Sequence, residues 1–246
     1  MNSISPNLNI MIKATEKASK ILIRDFGEVE KLQVSLKGPN NFVTNADRKV
    51  EEVIIKELEK AKKNFSILTE ESGFLENKDK ENFWIIDPID GTTNFLNGVP
   101  HFCISVALLI DREIVAGVIY DPIKDELFYS EKNNGSYLNN KSIRVSKKSK
   151  ISECLYGVNF RKNLPENLLI RNTGSAALDL AYVSSGRFDA CLQKNVNLWD
   201  IAAGTILIKE AGGIVNNFEL KKFDKINIKA SNERINSDLN KKNNIF

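Results

Sequence analysis

The sequence predicts a two-part fold, an α+β half followed by an α/β half, and three patterns support this expectation. Apolar residues at helical spacing dominate the first 60 residues, and short apolar runs separated by turn signals follow between residues 102 and 146. After Lys147, strand-like and helix-like segments alternate. We therefore divide the chain into an N-terminal half, residues 1–146, and a C-terminal half, residues 147–246.

Two amphipathic helices open the N-terminal half. Residues 7–26 carry apolar side chains every three or four positions, which is the spacing of one buried helix face. A second helix is expected to begin at Thr44 or Asn45 and to bury a stripe of apolar residues between 50 and 61. Residues 37–41 contain glycine, proline and asparagine, and we expect them to form the loop between the two helices.

The remaining elements are predicted from shorter runs. Expected strands are residues 65–69, 83–87, 103–110, 114–120, 126–130 and 143–146. The last four are expected to form an antiparallel meander with turns at Asn133-Asn134-Gly135 and Asn139-Asn140. Expected helices of the C-terminal half are residues 175–185 and 201–211, the second of them ended by Gly212 and Gly213.

Composition and charge exclude several classes of protein. With 246 residues, 42% of them hydrophobic, the chain can bury a substantial core and is not a disordered or fibrous protein. Its 35 basic and 32 acidic residues leave a formal net charge of only +3, and the basic residues are scattered. This pattern argues against nucleic acid as a partner.

The cysteine and histidine content limits the cellular compartment and the kinds of metal or catalytic site that are possible. Three cysteines without a close pair are typical of a reducing cytoplasm, and no apolar run approaches the roughly 18 residues of a membrane span. We expect a cytoplasmic protein without a membrane partner. His101 is the single histidine, so a zinc site built on several histidines is excluded, and an ordinary loop or core role is favoured for it over a catalytic one.

The segment from Trp84 to Phe95 is the most informative part of the chain. An apolar strand runs into Asp87, Pro88 interrupts the strand, and Asp90 precedes a Gly-Thr-Thr helix start. Asp-Pro and Asp-Gly pairs also cap ordinary turns, so either aspartate alone would favour a structural role. Two carboxylates placed together repel unless a cation neutralises them, and oxygen ligands without cysteine or histidine select Mg²⁺ or Mn²⁺.

This segment and four others resemble the inositol monophosphatase family, part of the lithium-sensitive phosphatase superfamily that includes the fructose-1,6-bisphosphatases. The matching segments, which fall in the family's order, are Phe42 to Asp47, Thr69 to Gly73, Asp87 to Phe95, Arg171 to Tyr182, and Trp199 to Gly213. The resemblance covers about residues 8–231 and implies a layered α-β-α-β-α sandwich and a homodimer.

The resemblance also implies a role for each matched residue. Metal ligands by this comparison are Glu70, Asp87, Asp90, Asp200 and the backbone carbonyl of Ile89, which would hold two or three Mg²⁺ ions. Asp47 and Thr92 correspond to the catalytic pair that orients and deprotonates the attacking water, with Glu70 assisting through water and a weaker third ion. For Glu71 we expect either a solvated side chain or one that contacts the metal ligands without binding the metal itself.

On the substrate side, the resemblance implies a phosphate site and a polyol site. Substrate contacts by this comparison are Ile89, Asp90, Gly91, Thr92, Gly174, Ser175, Ala176, Gln193 and Asp200, with Arg171 at the substrate or at a subunit interface. Two features depart from the family pattern. Gln193 replaces an acid found in members that bind inositol well, and residues 161–170 leave little room for a helix.

The leading functional hypothesis is therefore Mg²⁺-dependent hydrolysis of a small phosphorylated polyol, most plainly inositol monophosphate. A sibling enzyme acting on histidinol phosphate, a sugar bisphosphate or a nucleotide phosphate would share the metal ligands. The non-enzymatic alternative is a protein that binds transcription-complex proteins, since bacterial members of the family are implicated in such complexes. Lithium sensitivity is expected of the enzyme readings.

Overall fold

The computed structural model describes residues 4–28, 34–38, 41–162, 164, 168–220 and 224–241. The helices within these ranges are Pro6–Phe26 (α1), Asn45–Ala61 (α2), Thr92–Leu96 (α3), Ala176–Ser184 (α4), Leu198–Glu210 (α5) and Glu233–Lys241 (α6). The strands of the N-terminal half are Val34–Gly38 (β1), Asn41–Thr44 (β2), Phe65–Thr69 (β3), Gly73–Leu75 (β4), Asp79–Asp90 (β5), Cys103–Ile110 (β6), Glu113–Asp121 (β7), Glu126–Glu131 (β8), Ser136–Leu138 (β9) and Lys141–Ile143 (β10). The strands of the C-terminal half are Leu155–Val158 (β11), Leu169–Arg171 (β12), Ala190–Val196 (β13), Gly213–Val215 (β14) and Ile226–Asn232 (β15).

The described elements stack in five layers. Helices α1 and α2 share a core with one face of an eight-stranded sheet, ordered β10-β9-β8-β7-β6-β5-β3-β4. Helices α4 and α5 lie between the other face of that sheet and a five-stranded sheet, ordered β12-β11-β13-β15-β14. Helix α6 covers the far face of the smaller sheet. The layered α-β-α-β-α sandwich expected from the resemblance is confirmed.

Alternation along the central strands explains the layering. In β5, Trp84 and Ile86 pack with α1 and α2, whereas Phe83 and Ile85 pack with α4 and α5. Successive side chains of a strand point to opposite faces of the sheet. The run from Phe83 to Ile86 is apolar at every position and therefore has to be covered on both sides, which the two helical layers do.

The antiparallel meander runs from β5 through β6, β7, β8, β9 and β10, while β3 joins β5 in parallel. Asn139 and Asn140, with φ of 45° and 66°, make the tight turn between β9 and β10. Asparagine tolerates this left-handed conformation, which a two-residue hairpin of this type requires. The expected turn at Asn139–Asn140 is confirmed.

Three expected boundaries are wrong. Residues 143–146 are not a strand beyond Ile143: Val145 is apolar because it packs against the core of α4 and α5. Of residues 37–41, expected as a loop between the helices, residues 37 and 38 end β1 and Asn41 begins β2, which pairs with β1, while residues 39 and 40 lie outside the described residues. Helix α5 begins at Leu198 and not at 201, because the Asp200 carboxylate accepts a hydrogen bond from the Asn197 N–H and so fixes an earlier start.

None of the helices in the described ranges has the length and apolar character needed to cross a bilayer. The three cysteines, Cys103, Cys154 and Cys191, are buried and unpaired with one another. Over residues 161–170, the described positions contain no helix, in agreement with the short spacing read from the sequence.

Helices α4 and α5 approach each other closely at Gly204. A Cβ atom added to Gly204 would lie 2.5 Å from Cβ of Leu180 on α4. Both helices begin at the candidate site, α4 after Ser175 and α5 two residues before Asp200. Because Gly204 has no side chain, α4 and α5 can pack closely, and their N-terminal ends can lie near each other.

We predict that Gly204→Ala lowers the free energy of unfolding by about 1–2 kcal/mol, because overpacking exceeds the gain in helix propensity. Gly27→Ala is the matched control: Gly27 ends α1 with φ of −69°, and its added Cβ would come no nearer than 3.4 Å to Arg24. The control should be neutral or stabilising by about 0.4–1 kcal/mol. Urea unfolding of both variants measures the difference, and equal stabilities would show that the α4–α5 contact is not tight.

Candidate functional site

Asp87 and Asp90 lie at the end of β5, where the strand contains a bulge. Asp87 pairs with Ser105 and Asp90 with Cys103, so β5 has one residue more than β6 between these pairs. Residues three apart on a regular strand point to opposite faces. The extra residue, in a segment where Pro88 lacks an N–H, lets both carboxylates reach the same side.

Asp200 of α5 completes a group of three carboxylates. One oxygen from each of Asp87, Asp90 and Asp200 lies within 4.8 Å of the others. Asp87 and Asp90 are buried and Asp200 is partly buried. A set of donors made only of carboxylate oxygens fits a hard divalent cation and does not fit zinc or copper held by nitrogen and sulfur.

The electrostatics of the group also fit a cation. Burial, followed by repulsion from neighbouring carboxylates, raises the pKa of Asp200 to about 7 and the pKa of Asp87 well above its usual value. Burial likewise raises the pKa of Asp90 to about 6, against the hydrogen bonds it accepts. A bound cation offsets the repulsion and lets all three ionise at neutral pH.

Hydrogen bonds from the chain fix each carboxylate. Asp90 Oδ2 accepts the Ala177 N–H at 2.7 Å and the Ser175 hydroxyl, both at the start of α4. Asp200 Oδ2 accepts the Asn197 N–H at 2.6 Å, and Asp87 Oδ1 accepts the Ile89 N–H at 3.0 Å. A carboxylate has about four lone-pair sites, so each retains capacity for a metal.

Glu70 and Asp47 lie near this group without belonging to it. Glu70 follows β3, and its N–H donates to the Ile86 carbonyl of β5 at 3.3 Å. Burial and then the charges of Asp200 and Asp47 raise the pKa of Glu70 to about 8. Asp47, in the first turn of α2, is 1% exposed. The structure thus places both acids in the field of the three clustered carboxylates.

The residues after Asp90 form a tight turn. Gly91 has φ of 98°, and a Cβ atom there would lie 3.0 Å from the His101 carbonyl oxygen, so both conformation and space require glycine. Thr92 donates its hydroxyl proton to the Ile89 carbonyl at 2.9 Å. The threonine oxygen keeps its lone pairs, and the Ile89 carbonyl keeps a second lone pair. Helix α3 is only five residues long, so its dipole is small.

A cavity of about 200 Å³ adjoins the carboxylates. Its lining includes Asp90, Asn159, Asn172, Gly174, Ser175, Ala176, Asp179, Gln193 and Asp200. Most of the substrate residues expected beyond the phosphate line this cavity. Arg171 does not: it is exposed on the edge strand β12, and its guanidinium donates to the Ile170 carbonyl at 2.9 Å.

Gln193 is buried, and its amide nitrogen donates to Asp179 Oδ2 at 2.8 Å. Asp179 Oδ1 accepts the Thr173 hydroxyl at 2.7 Å, and burial raises the Asp179 pKa to about 8. Gly157 makes room for this carboxylate, because an added Cβ would lie 2.7 Å from Asp179 Cγ. A carboxylate therefore does lie beside this part of the cavity, supplied by α4 and paired with Gln193.

Sequence reasoning missed three polar residues around the site. Asp179 stands in an otherwise apolar helix, a signal that could have found it. Asn94 donates to the carbonyls of His101 and Thr173, both at 2.8 Å, and so ties α3 to the loop before α4. Glu51 is buried on α2, and nothing in its sequence neighbourhood marks it. Glu71 was left partly as a solvated group, but its side chain is only 5% exposed, so that reading is wrong.

Comparison with known proteins decides the family. The profile of the inositol monophosphatase family matches residues 4–243. The chain belongs to the inositol monophosphatase family. It is similar to the inositol-1-monophosphatase of Mesorhizobium japonicum, with 45% identity over 86% of this chain and 85% of the relative. The Nus factor SuhB of Pasteurella multocida is 40% identical over 87% and 86% of the two chains.

A solved structure of the same family gives the same result. The extragenic suppressor protein suhB from Bartonella henselae superposes with a TM-score of 0.90 at 42% identity, covering 98% of this chain and 99% of that one. The resemblance that the five sequence segments indicated is thereby confirmed. The acidic group and its cavity lie within the residues that the family profile matches.

We predict that Asp87→Asn raises the melting temperature of the metal-free protein and removes its response to Mg²⁺. The amide keeps an acceptor for the Ile89 N–H while one buried charge disappears. At a Mg²⁺ concentration a hundredfold above Kd, the free energy of unfolding of the wild type should rise by about 2.7 kcal/mol, which corresponds to an increase in melting temperature of about 5–10 °C. Asp79→Asn, the same change at the far end of β5, should retain the wild-type shift. If Mg²⁺ raised the melting temperature of Asp87→Asn as much as that of the wild type, Asp87 would not be a metal ligand.

Proposed function

We propose that the protein is a Mg²⁺-dependent phosphatase that hydrolyses a monoester of a small polyol, inositol monophosphate or a close relative. The observation that carries this proposal is the group of Asp87, Asp90 and Asp200, held within 4.8 Å of one another, of which Asp90 and Asp200 line the adjoining cavity. Family membership and relatives named inositol-1-monophosphatase support the same reaction.

The residues that would hold the ions are Glu70, Asp87, Asp90, Asp200 and the Ile89 carbonyl. Mn²⁺ is an alternative ion, since it accepts the same oxygen ligands. When bound, the ions supply positive charge to the phosphoryl oxygens and to the leaving oxygen. The protein contributes the fixed positions of the carboxylates, which hydrogen bonds from α4, α5 and β5 maintain.

Asp47 and Thr92 are the groups that we assign to the attacking water. The Thr92 hydroxyl donates to Ile89, so its oxygen is oriented to accept a proton of that water. Asp47, buried and close to other acids, is placed to receive the water's other proton as general base. The backbone N–H groups of Gly91 and Thr92, at the start of α3, would bind the phosphate, since the first N–H groups of a helix have no partner within it.

The alcohol part of the substrate would occupy the cavity beyond Asp90. Gly174, Ser175 and Ala176 line it at the start of α4, and Gln193 also lines it, with its amide nitrogen donating to Asp179. Hydroxyl groups of a polyol can donate to Asp90 and Asp200 as well as to this pair. Arg171 does not line the cavity, and its expected place at the substrate or at a subunit interface stays a prediction.

A phosphate-release screen tests the proposal. Inositol monophosphates, histidinol phosphate, fructose 1,6-bisphosphate and 3′-phosphoadenosine 5′-phosphate are compared in the presence of Mg²⁺. We expect inositol monophosphates to be hydrolysed best, activity to vanish on chelation and return with Mg²⁺, and Ca²⁺ and Li⁺ to inhibit. Asp90→Asn, purified in parallel, controls for contaminating phosphatases and should lack activity. Undiminished hydrolysis in chelator would refute the proposed mechanism.

Thr92→Val tests the assignment of the water-orienting hydroxyl. The change preserves shape, so we expect kcat to fall about 10²–10⁴-fold with KM nearly unchanged. Thr93→Val, the exposed next residue of α3, is the matched control and should keep wild-type activity. Steady-state kinetics of both variants decide the matter, and a Thr92→Val enzyme within threefold of wild type would exclude the role.

A second candidate function is supported by the relatives named Nus factor SuhB, among them that of Pasteurella multocida. In that reading, transcription-complex proteins bind the same fold. The Asp90→Asn variant separates the two, because a binding function would survive loss of the metal site. We further propose a cytoplasmic homodimer: three buried free thiols fit a reducing compartment, and light scattering of the purified protein tests the dimer.

A further inference from the structure

A buried carboxylate outside the metal ligands, Glu51 of α2, is 3% exposed and bonds to a single turn. Its Oε2 accepts the Thr69 hydroxyl and, at 3.1 Å, the Glu71 N–H. Its Oε1 accepts the Ser72 hydroxyl. Thr69 is the last residue of β3, and Glu71 and Ser72 belong to the turn between β3 and β4, so the carboxylate holds that turn against the helix.

Glu70 is the residue of that turn which lies between the donors. One bond precedes it at Thr69 and two follow it, at Glu71 and Ser72. A separate ion pair joins the same helix to the same turn, with Arg48 Nε at 4.0 Å from Glu71 Oε2. The backbone on both sides of Glu70 is therefore fixed relative to α2.

Helix α2 also carries Asp47, one turn before Glu51. Residues four apart lie on the same face of a helix, and both of these acids are buried. The helix thus joins the proposed general base to the turn that bears a proposed metal ligand. Displacement of the turn would change the position of Glu70 relative to Asp87 on the neighbouring strand.

We propose that Glu51 is a positioning residue that orients Glu70 for metal binding, an inference that rests on the proposed metal site. Residues that hydrogen-bond around metal ligands commonly set affinity through such orientation. In Glu51→Gln one oxygen can still accept the Thr69 hydroxyl and the Glu71 N–H, but the NH₂ group is a donor, so the Ser72 hydroxyl has to turn and accept instead. The turn then loses bonds to a carboxylate, which are roughly twice as strong as bonds between neutral groups, so it is held less firmly against α2.

The test compares Glu51→Gln with Glu52→Gln. Glu52 is the next residue of α2, its side chain is 69% exposed, and the substitution removes the same charge. Calorimetric titration with Mg²⁺ in the absence of substrate should give a Kd raised about 10–100-fold in Glu51→Gln and unchanged in Glu52→Gln. Phosphate release should need correspondingly more Mg²⁺ for half-maximal rate, with kcat at saturating Mg²⁺ largely restored.

The outcomes separate a positioning role from a structural one. If Glu51→Gln lowers the melting temperature while Mg²⁺ binds as tightly as in the control, the proposal is overturned. If the variant does not fold, Thr69→Val and Ser72→Ala remove single donors with Glu51 in place. Each should then weaken Mg²⁺ binding and the pair together should weaken it more than either, whereas wild-type affinity in all three would overturn the proposal. Absence of Mg²⁺ binding in the wild type would instead refute the proposed function itself.

Discussion

A cluster of buried carboxylates is the constraint on which the rest of this structure depends. Asp87, Asp90 and Asp200 bring carboxylate oxygens within 4.8 Å of one another, and Glu70 and Asp47 lie close enough to disturb the same titrations. Burial and mutual repulsion raise the pKa values of these acids, so without a counter-charge the group costs stability. A hard divalent cation bound between these carboxylates would offset that cost.

Each layer of the sandwich supplies part of what holds the cluster in place. The bulge at the end of β5 turns two aspartates to one side, and the starts of α4 and α5 give hydrogen bonds to Asp90 and Asp200. Helix α2, from the outer layer, fixes the turn of Glu70 through Glu51. The site lies where these elements converge, so the packing of the layers determines the positions of the site residues.

The elements that sequence reasoning located correctly are those with a strong local signal. The amphipathic stripe of α1, the turn at Asn139–Asn140 and the strands of the meander follow from spacing and turn chemistry alone. Val145 was misassigned because an apolar residue packed on the core resembles a strand residue when the partner is unseen. The start of α5 was placed late because its capping pair, Asn197 and Asp200, was not recognised.

The sequence by itself determined the family, the layered fold and the acidic residues, because each is written in short motifs whose order along the chain is readable. The tertiary structure alone decided the geometry in which these acids meet: Asp87, Asp90 and Asp200 come from two elements more than 100 residues apart, and one oxygen of each lies within 4.8 Å of the others. It also decided the roles of Asp179 and Glu51, whose partners lie on other elements. A hydrogen bond between distant residues leaves no periodicity in the chain, so only the folded arrangement can reveal it.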